Sequence, residues 1–333
     1  MKIVLIGLGS IGQRHLRNLL HLGYNQVTVV SRSGTLPDEF SSLCVYPTLT
    51  EALAKNKYDA GIVCTPTAFH LTSLKTLLQA SVGNIYVEKP VSHTYDEVVE
   101  LWQLAGSQKS KVVVGYDLHF DPGMMKVKEL LKQDAIGKVV SVNAQVGQYL
   151  PDWRPAEDYR KGMSAKRETG GGVMLDLVHE FDYLYWLIGD IKMIAAKYSN
   201  SGALEIETED AAEVLLSFVN GASGTIHLDY LQRKLVRNCL ITGYKGSIKW
   251  NLAENIVWWI NADKQEDEFN YSGYERNDRF LAIMKSFLTS PDDERLTTLQ
   301  QGIEGLRWVL AAKQSSEQNT FIDMATFKTI QPS

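Results

Sequence analysis

Residues 1–15 read MKIVLIGLGSIGQRH, a short apolar run that passes directly into Gly7-x-Gly9-x-x-Gly12. The run Ile3-Val4-Leu5-Ile6 predicts a strand buried on both faces of a parallel sheet. In a strand–loop–helix turn of this kind Gly7 permits the tight turn, Gly9 lets backbone approach a pyrophosphate, and Gly12 lets the helix pack close on the strand. The helix N-terminus then presents unpaired N–H groups and the positive end of its dipole to the phosphates. Gly7, Gly9, Ser10, Ile11 and Gly12 are therefore the expected phosphate-side contacts. A glycine pattern alone is weak evidence, because ordinary strand–helix turns carry glycines too. Here it follows a strand, precedes the helical stretch Gln13–Leu22, and is succeeded on schedule by a second apolar run, Gln26–Val30. That context predicts a dinucleotide site.

The end of the second strand bears on which dinucleotide. An NAD site usually places Asp or Glu there, on the ribose 2′-OH. This chain has Val29-Val30-Ser31-Arg32-Ser33, with no carboxylate before Asp38. Ser31 and Ser33 can donate to a 2′-phosphate, and Arg32 can pair with it or stack on adenine. The expectation is NADP in preference to NAD; the alternative is a solvated Arg32 beside a site that takes NAD.

At 333 residues the chain is too long for one ordinary core and suits two domains. The net charge of −5, with no basic block beyond the diluted stretch Lys161–Arg167, argues against a nucleic-acid surface. No apolar run reaches the ~18 residues of a membrane span. The N-terminal apolar stretch feeds into the glycine loop, so it reads as strand and not as a signal peptide. Cys44, Cys64 and Cys239 lie far apart in apolar surroundings and read as buried free thiols of a reducing compartment, which predicts a cytoplasmic protein.

Strands and helices alternate through the first third. Expected strands are 2–6, 26–30, 60–64, 84–87 and 111–115, and expected helices 13–22, 49–55, 68–80 and 94–107. That alternation means a doubly wound parallel sheet covered on both faces. Beyond it come a helix over 122–133, a strand over 139–148 and an aromatic-rich helix over 176–187. Strands then dominate: 193–199, 209–218, 222–231, 238–242, 246–251 and 256–260. They predict a large, mostly antiparallel sheet. Asp263–Glu268 reads as a solvated charged loop, and helices over 276–288 and 298–314 close the chain. The expected division is 1–119 for the dinucleotide-binding domain and 120–333 for an α+β domain that binds substrate and makes the oligomer contact, with the last helices free to pack back on the first domain.

Three clusters besides the glycine loop could carry chemistry. Cys64-Thr65-Pro66-Thr67-Ala68-Phe69-His70 follows a strand, and ligands of such sheets bind at the strands' carboxyl ends. Thr65, Pro66 and His70 are candidates for the cofactor's ribose and nicotinamide side. The alternative is a Pro-stiffened turn with Thr67 as helix N-cap. Glu88-Lys89-Pro90 follows the next strand. A lysine there can donate a proton or hold a substrate hydroxyl, since its pKa falls readily on burial; alone, the pair would read as a surface Glu–Lys couple. The third cluster is Gly170-Gly171-Gly172-Val173-Met174-Leu175-Asp176-Leu177-Val178-His179-Glu180-Phe181-Asp182. Asp176 and His179 are three apart and would share one face of a helix. The glycines would admit a ligand close to backbone. A carboxylate that orients a histidine makes a general base; the alternative is an Asp favoured by the helix dipole and a satisfied core histidine. The seven histidines include no pair at ligand spacing, no Cys pair exists and no G-x-S-x-G elbow occurs, so no metal and no serine nucleophile are expected.

Together GLGSIGQRH (7–15), TPTAFH (65–70), EKP (88–90), GGGVMLDLVHEFD (170–182) and GYKGSI (243–248) resemble the glucose–fructose oxidoreductase / inositol dehydrogenase (Gfo/Idh/MocA) family, in order and over nearly the whole chain. The resemblance implies a Rossmann domain, then an α/β domain whose open sheet often makes the oligomer interface, here a homodimer or homotetramer. It implies hydride transfer between NAD or NADP and a sugar or cyclitol carbon. Carried over by position, Lys89, Asp176 and His179 are the catalytic set, with His179 the acid/base and Glu88 beside the cofactor. Lys89, from the first domain, is then expected to meet the other two. Relatives often have Asn and Arg in a segment like G-F-N-x-R-F, where this chain has Tyr116-Asp117-Leu118-His119-Phe120. Asp117 and His119 change the charge expected beside substrate, so no relative's substrate is inherited. The stretch Gly147 to Arg160 is rich in Trp, Tyr and Arg and resembles members of bacterial surface-sugar pathways. Tyr149, Trp153, Arg154, Tyr159 and Arg160, with His119, are the candidate substrate contacts, for a nucleotide-activated or acidic sugar; packing of an inter-domain loop is the alternative. Two other readings share the fold: a glycosidase-like enzyme that uses its cofactor without net redox, and a dinucleotide sensor. Intact Lys89, Asp176 and His179 weigh against the sensor.

Overall fold

In the computed structural model, which describes residues 1–328, the chain forms two compact units. The first holds Met1–Asp117 together with Arg276–Glu304, and the second holds Leu118–Glu275 and the chain from Gly305. The division is thus not a single cut near residue 119. Residues 329–333, the end of the expected second domain, lie outside the described residues.

The first unit opens with β1 (Ile3–Ile6), α1 (Ser10–His21), β2 (Val27–Val30), β3 (Cys44–Tyr46), α2 (Leu49–Lys55), β4 (Ala60–Val63), α3 (His70–Gln79), β5 (Asn84–Val87), α4 (Val98–Gln108) and β6 (Lys111–Val114). The six strands pair in parallel in the order β3-β2-β1-β4-β5-β6. β1, β2 and β4 bury every side chain, as continuous apolar strands under helices on both faces must. The winding reverses between β1 and β4, and the crevice beyond their carboxyl ends is where ligands of such sheets bind.

Three expectations change here. α1 begins at Ser10 and not at Gln13, because Gly12 lies inside its first turn against the backbone of the loop. α4 begins at Val98 and not near Thr94, because the Ser92 hydroxyl accepts from the Thr94 N–H and closes a local turn that competes with helix. Cys44 is exposed, on the edge strand β3 that the sequence reading missed; only Cys64 and Cys239 are buried thiols.

The second unit runs through α5 (Pro122–Lys132), β7 (Val139–Gly147), α6 (Val173–Asp176), α7 (His179–Ile188), β8 (Ile191–Ser199), β9 (Ala211–Phe218), β10 (Ser223–Asp229), β11 (Val236–Gly243), β12 (Gly246–Asn251), β13 (Ile256–Asn261) and β14 (Glu266–Asn270). Its sheet has the order β14-β13-β12-β11-β7-β10-β9-β8. Only β7 and β10 run parallel; the other pairs are antiparallel. Burial alternates strictly along β9, so one face is core and the other exposed. Glu213 and Leu215 stand on the exposed face, with His227 of β10 half-buried beside Glu213. β14 replaces the loop expected at 263–268. Almost every side chain on it is exposed, so no hydropathy pattern marks it and the backbone ladder to β13 alone makes it a strand. The helix expected over 176–187 is two helices. Leu177, at φ −100° and ψ 30°, leaves the α basin, and the Glu180 and Phe181 N–H groups bond three residues back, to Leu177 and Val178, a tighter turn that breaks the register.

The chain then returns to the first unit as α8 (Arg276–Thr289), where Asn277 and Asn18 of α1 exchange amide hydrogen bonds, and Thr297–Thr298 pairs antiparallel with β6. α9 (Leu299–Gln318) leads back to the second unit. Its Ser315 and Ser316 hydroxyls accept from the Ala196 and Tyr198 N–H groups of β8, and Ile322–Asp323 pairs with the same strand. No helix among the described residues is long and apolar enough to cross a membrane.

Candidate active site

In the first unit the glycine loop is built as the sequence requires. Gly7 has φ +94°, and a Cβ there would lie 2.6 Å from the Cys64 carbonyl oxygen; a Cβ on Gly12 would lie 2.0 Å from the Gly7 carbonyl oxygen. Gly9 differs, because its Cβ would meet nothing within 4 Å. Gly9 caps α1 without a side-chain hydrogen bond, and the first turn, with Ser10 and Ile11, carries no acid. A bare helix start over open space suits a phosphate. Thr65, just past β4, has a buried Oγ1 with no hydrogen-bond partner among the described residues. These features fit a dinucleotide. Ser31 and Ser33 hydroxyls lie 3.1 Å apart past β2, with Arg32 exposed between them.

Thr67 does not cap α3; it starts a short 3₁₀ turn, Thr67–Phe69, behind the exposed Pro66. His70 instead ties two strand exits together. Its Nδ1 is 2.8 Å from the Pro90 carbonyl and its Nε2 is 2.8 Å from the Thr65 carbonyl. Burial holds its pKa below the usual histidine value, against the pull of the two carbonyls. Glu88 is buried and faces inward, 2.7 Å from His15 Nε2 and accepting from the Tyr86 hydroxyl. A surface Glu–Lys couple is therefore not what β5 presents. Lys89 is half-buried between Glu88 and Pro90. Asp117 forms a buried ion pair with Arg279 of α8, so its charge is balanced within the first unit.

In the second unit Asp176 ends α6 and His179 opens α7, with 5% and 7% of their surfaces exposed. The preceding glycines admit protein where the sequence suggested a ligand. A Cβ on Gly171 would lie 2.3 Å from the Met163 carbonyl oxygen, and one on Gly172 would lie 2.5 Å from Glu209 Oε1. The Tyr230 hydroxyl, past β10, donates to Asp176 Oδ2 at 2.6 Å. Burial, then the Asp176 charge, pushes that phenol well above its ordinary pKa, so it stays a donor. Arg237 of β11 grips Glu180 with two bonds of 2.8 and 2.9 Å. His119 Nε2 is 3.0 Å from Asp182 Oδ2, and the ring stacks on Trp186 at 4.3 Å.

The candidate substrate residues divide. Trp153 packs edge-on against Tyr230 at 5.4 Å, and Tyr149 lies beneath the Arg233 guanidinium, 3.6 Å from ring centre to carbon. Arg160 is held by Asp158 at 2.8 and 3.0 Å, Arg154 lies 3.9 Å from Glu157, and the Tyr159 hydroxyl faces the Glu205 N–H. The structure thus gathers Trp153 and Asp176 about Tyr230, while Arg154, Tyr159 and Arg160 turn to local partners. Sequence reasoning missed Tyr230, Arg233, Arg237 and Asp182. The available signal was the run Asp229-Tyr230-Leu231-Gln232-Arg233, an aromatic and an arginine at the carboxyl end of an alternating strand.

Sheet order, glycine loop and the Thr65 hydroxyl define a dinucleotide-binding Rossmann domain. The chain belongs to the GFO/IDH/MocA family: residues 1–116 match its NAD-binding Rossmann-fold domain and residues 124–249 its C-terminal domain. It is 27% identical over 232 residues to the uncharacterized oxidoreductase YrbE of Bacillus subtilis, across 67% of this chain and 65% of that one. It is 26% identical over 350 residues to myo-inositol 2-dehydrogenase of Thermotoga maritima, across 97% and 98%. The WlbA dehydrogenase of Bordetella pertussis, solved with NADH and UDP-GlcNAcA, shares the fold with a TM-score of 0.81 at 20% identity, covering 97% of this chain and 98% of that one.

Proposed function

We propose that this protein moves a hydride between NAD(P) and a carbinol or keto carbon of a sugar, one that is nucleotide-activated or acidic. The observation that carries the reading is the junction of α6 and α7, where Asp176 and His179 are buried three residues apart. The nicotinamide, when bound, supplies the hydride acceptor or donor. His179 takes the hydroxyl proton as the carbinol is oxidised and returns it in the reverse direction. Asp176, fixed by the Tyr230 hydroxyl, stabilises the imidazolium. Lys89 is assigned the role of an ammonium that holds the substrate oxygen. Gly9, Ser10 and Ile11 supply backbone to the pyrophosphate, and Thr65 its hydroxyl. Ser31, Arg32 and Ser33 favour the 2′-phosphate of NADP. The ring of Trp153 against Tyr230 supports a sugar face, and WlbA, of the same fold, was solved with UDP-GlcNAcA.

The test is a panel of nucleotide sugars, uronic acids, free sugars and inositols, each with NAD and NADP, followed by absorbance of reduced cofactor. Turnover of an activated or acidic sugar is expected. Conversion of such a sugar with no net change in reduced cofactor would overturn the dehydrogenase assignment.

A further inference from the structure

We infer that Arg233, lying on Tyr149, is a subsite for an oxyanion of the substrate, a carboxylate or phosphate group. The inference takes its substrate class from the proposed function and its place from the second unit alone. A guanidinium carbon 3.6 Å from a tyrosine ring centre is stacked on that ring. Stacking fixes the guanidinium plane and leaves its N–H donors at the edge, the arrangement that grips an oxyanion with two parallel bonds.

Arg233 is exposed and makes no ion pair among the described residues. Other arginines of the second unit are engaged: Arg154 near Glu157, Arg160 by Asp158, Arg167 by the Glu207 carbonyl, Arg237 by Glu180. The loop that carries Arg233 is also fixed. The Asp229 carboxylate accepts from the Leu231 and Gln232 N–H groups at 2.7 and 2.8 Å, and the Tyr149 N–H donates to the Gln232 carbonyl at 2.6 Å. The backbone that carries the ring and the loop leading into Arg233 are therefore held together by these bonds. The same loop reaches the proposed chemistry, since Leu150 N–H bonds the Tyr230 carbonyl at 2.9 Å and the Tyr230 hydroxyl bonds Asp176. An oxyanion on Arg233 and a carbinol at Asp176 would belong to one substrate.

The experiment compares the protein with Arg233→Gln and Arg233→Lys, each saturated with NADP. Titration calorimetry uses UDP-glucuronate, glucuronate, UDP and glucose as probes. Arg233→Gln should weaken the anionic probes by ~10–100-fold, the range of hydrogen bonds to a charged group, and leave glucose and NADP unaffected. Loss for glucuronate alone assigns a carboxylate; loss for UDP alone, or for both, assigns a phosphate as well or instead. Arg233→Lys should recover only part of the affinity, because an ammonium lacks the fork. Equal binding of anionic probes by the protein and Arg233→Gln, no binding of them by the unaltered protein, or full recovery in Arg233→Lys would each overturn the subsite. If Arg233→Gln loses the anions while no sugar is oxidised or reduced, the subsite stands and the proposed function falls. If sugars turn over while anion binding is unchanged in Arg233→Gln, the subsite falls and the proposed function stands.

Discussion

Gly9 and Gly12 sit three residues apart in one loop under opposite demands. A side chain on Gly12 would collide with the Gly7 carbonyl, whereas one on Gly9 would enter open space. Gly12→Ala should lower the melting temperature of the free protein, with overpacking of ~1–3 kcal/mol. Gly9→Ala should leave that temperature unchanged yet weaken the dinucleotide at least tenfold, as measured by cofactor titration. A destabilised Gly9→Ala protein would refute the assignment. His179→Ala should cut turnover by ~10²–10⁴-fold, the usual effect of losing a positioned acid/base group, with cofactor binding nearly intact. Near-normal turnover would pass the role to Lys89 or His119. Arg32→Ala should weaken NADPH while sparing NADH, and equal affinities of the two cofactors in the unaltered protein, by quenching of tryptophan fluorescence, would end the NADP preference. The glycine loop was legible in sequence because the strand–turn–helix spacing itself sets the three positions, even though Gly7 is crowded by Cys64 and Thr65 from outside the motif. The run Gly170-Gly171-Gly172 was not, since its crowding partners, among them Glu209, are fixed only by the folded chain.

Among elements, the buried strands and amphipathic helices of the first unit were readable from periodicity. β14 was not, because backbone pairing alone defines it. The break between α6 and α7 was hidden for a related reason. Asp176 and Glu180 are anchored separately by Tyr230 and Arg237, and neither anchor is near them in sequence. β10 carries a feature that pH should reveal. His227 lies between Asp229 at 2.9 Å and Glu213 at 2.5 Å. Those hydrogen bonds, Asp229 first, push its pKa up to about 9. A histidine raised in the folded state adds stability that is complete below its ordinary pKa, near ~6.5, and lost as pH rises through the folded value. Stability to urea should therefore decline from about pH 6.5 to about 9, and His227→Gln should flatten that decline. Parallel pH curves for the two proteins would rule the contribution out.

At the scale of the molecule, the Rossmann order followed from alternation of strand and helix, and the last helices were allowed to pack back on the first domain, but which residues return, Arg276–Glu304, was not fixed by the sequence. That return rests on contacts such as Asn18 with Asn277, which no local pattern announces. The exposed face of the second sheet carries Leu215 at 45% exposure, and few helices of that unit remain to cover it. A dimer or tetramer built on that face is expected by light scattering at micromolar concentration, and a monomer would count against it. The rims of the same sheet constrain how copies could join. At one rim Ser315, Ser316 and Ile322–Asp323 already occupy the outward groups of β8. At the other, Glu266, Asp267 and Glu268 of β14 would set like charges against any approaching copy. Growth of this sheet by successive strand addition, the route to fibres, is thus disfavoured at both rims, which leaves its exposed face as the surface through which copies would join.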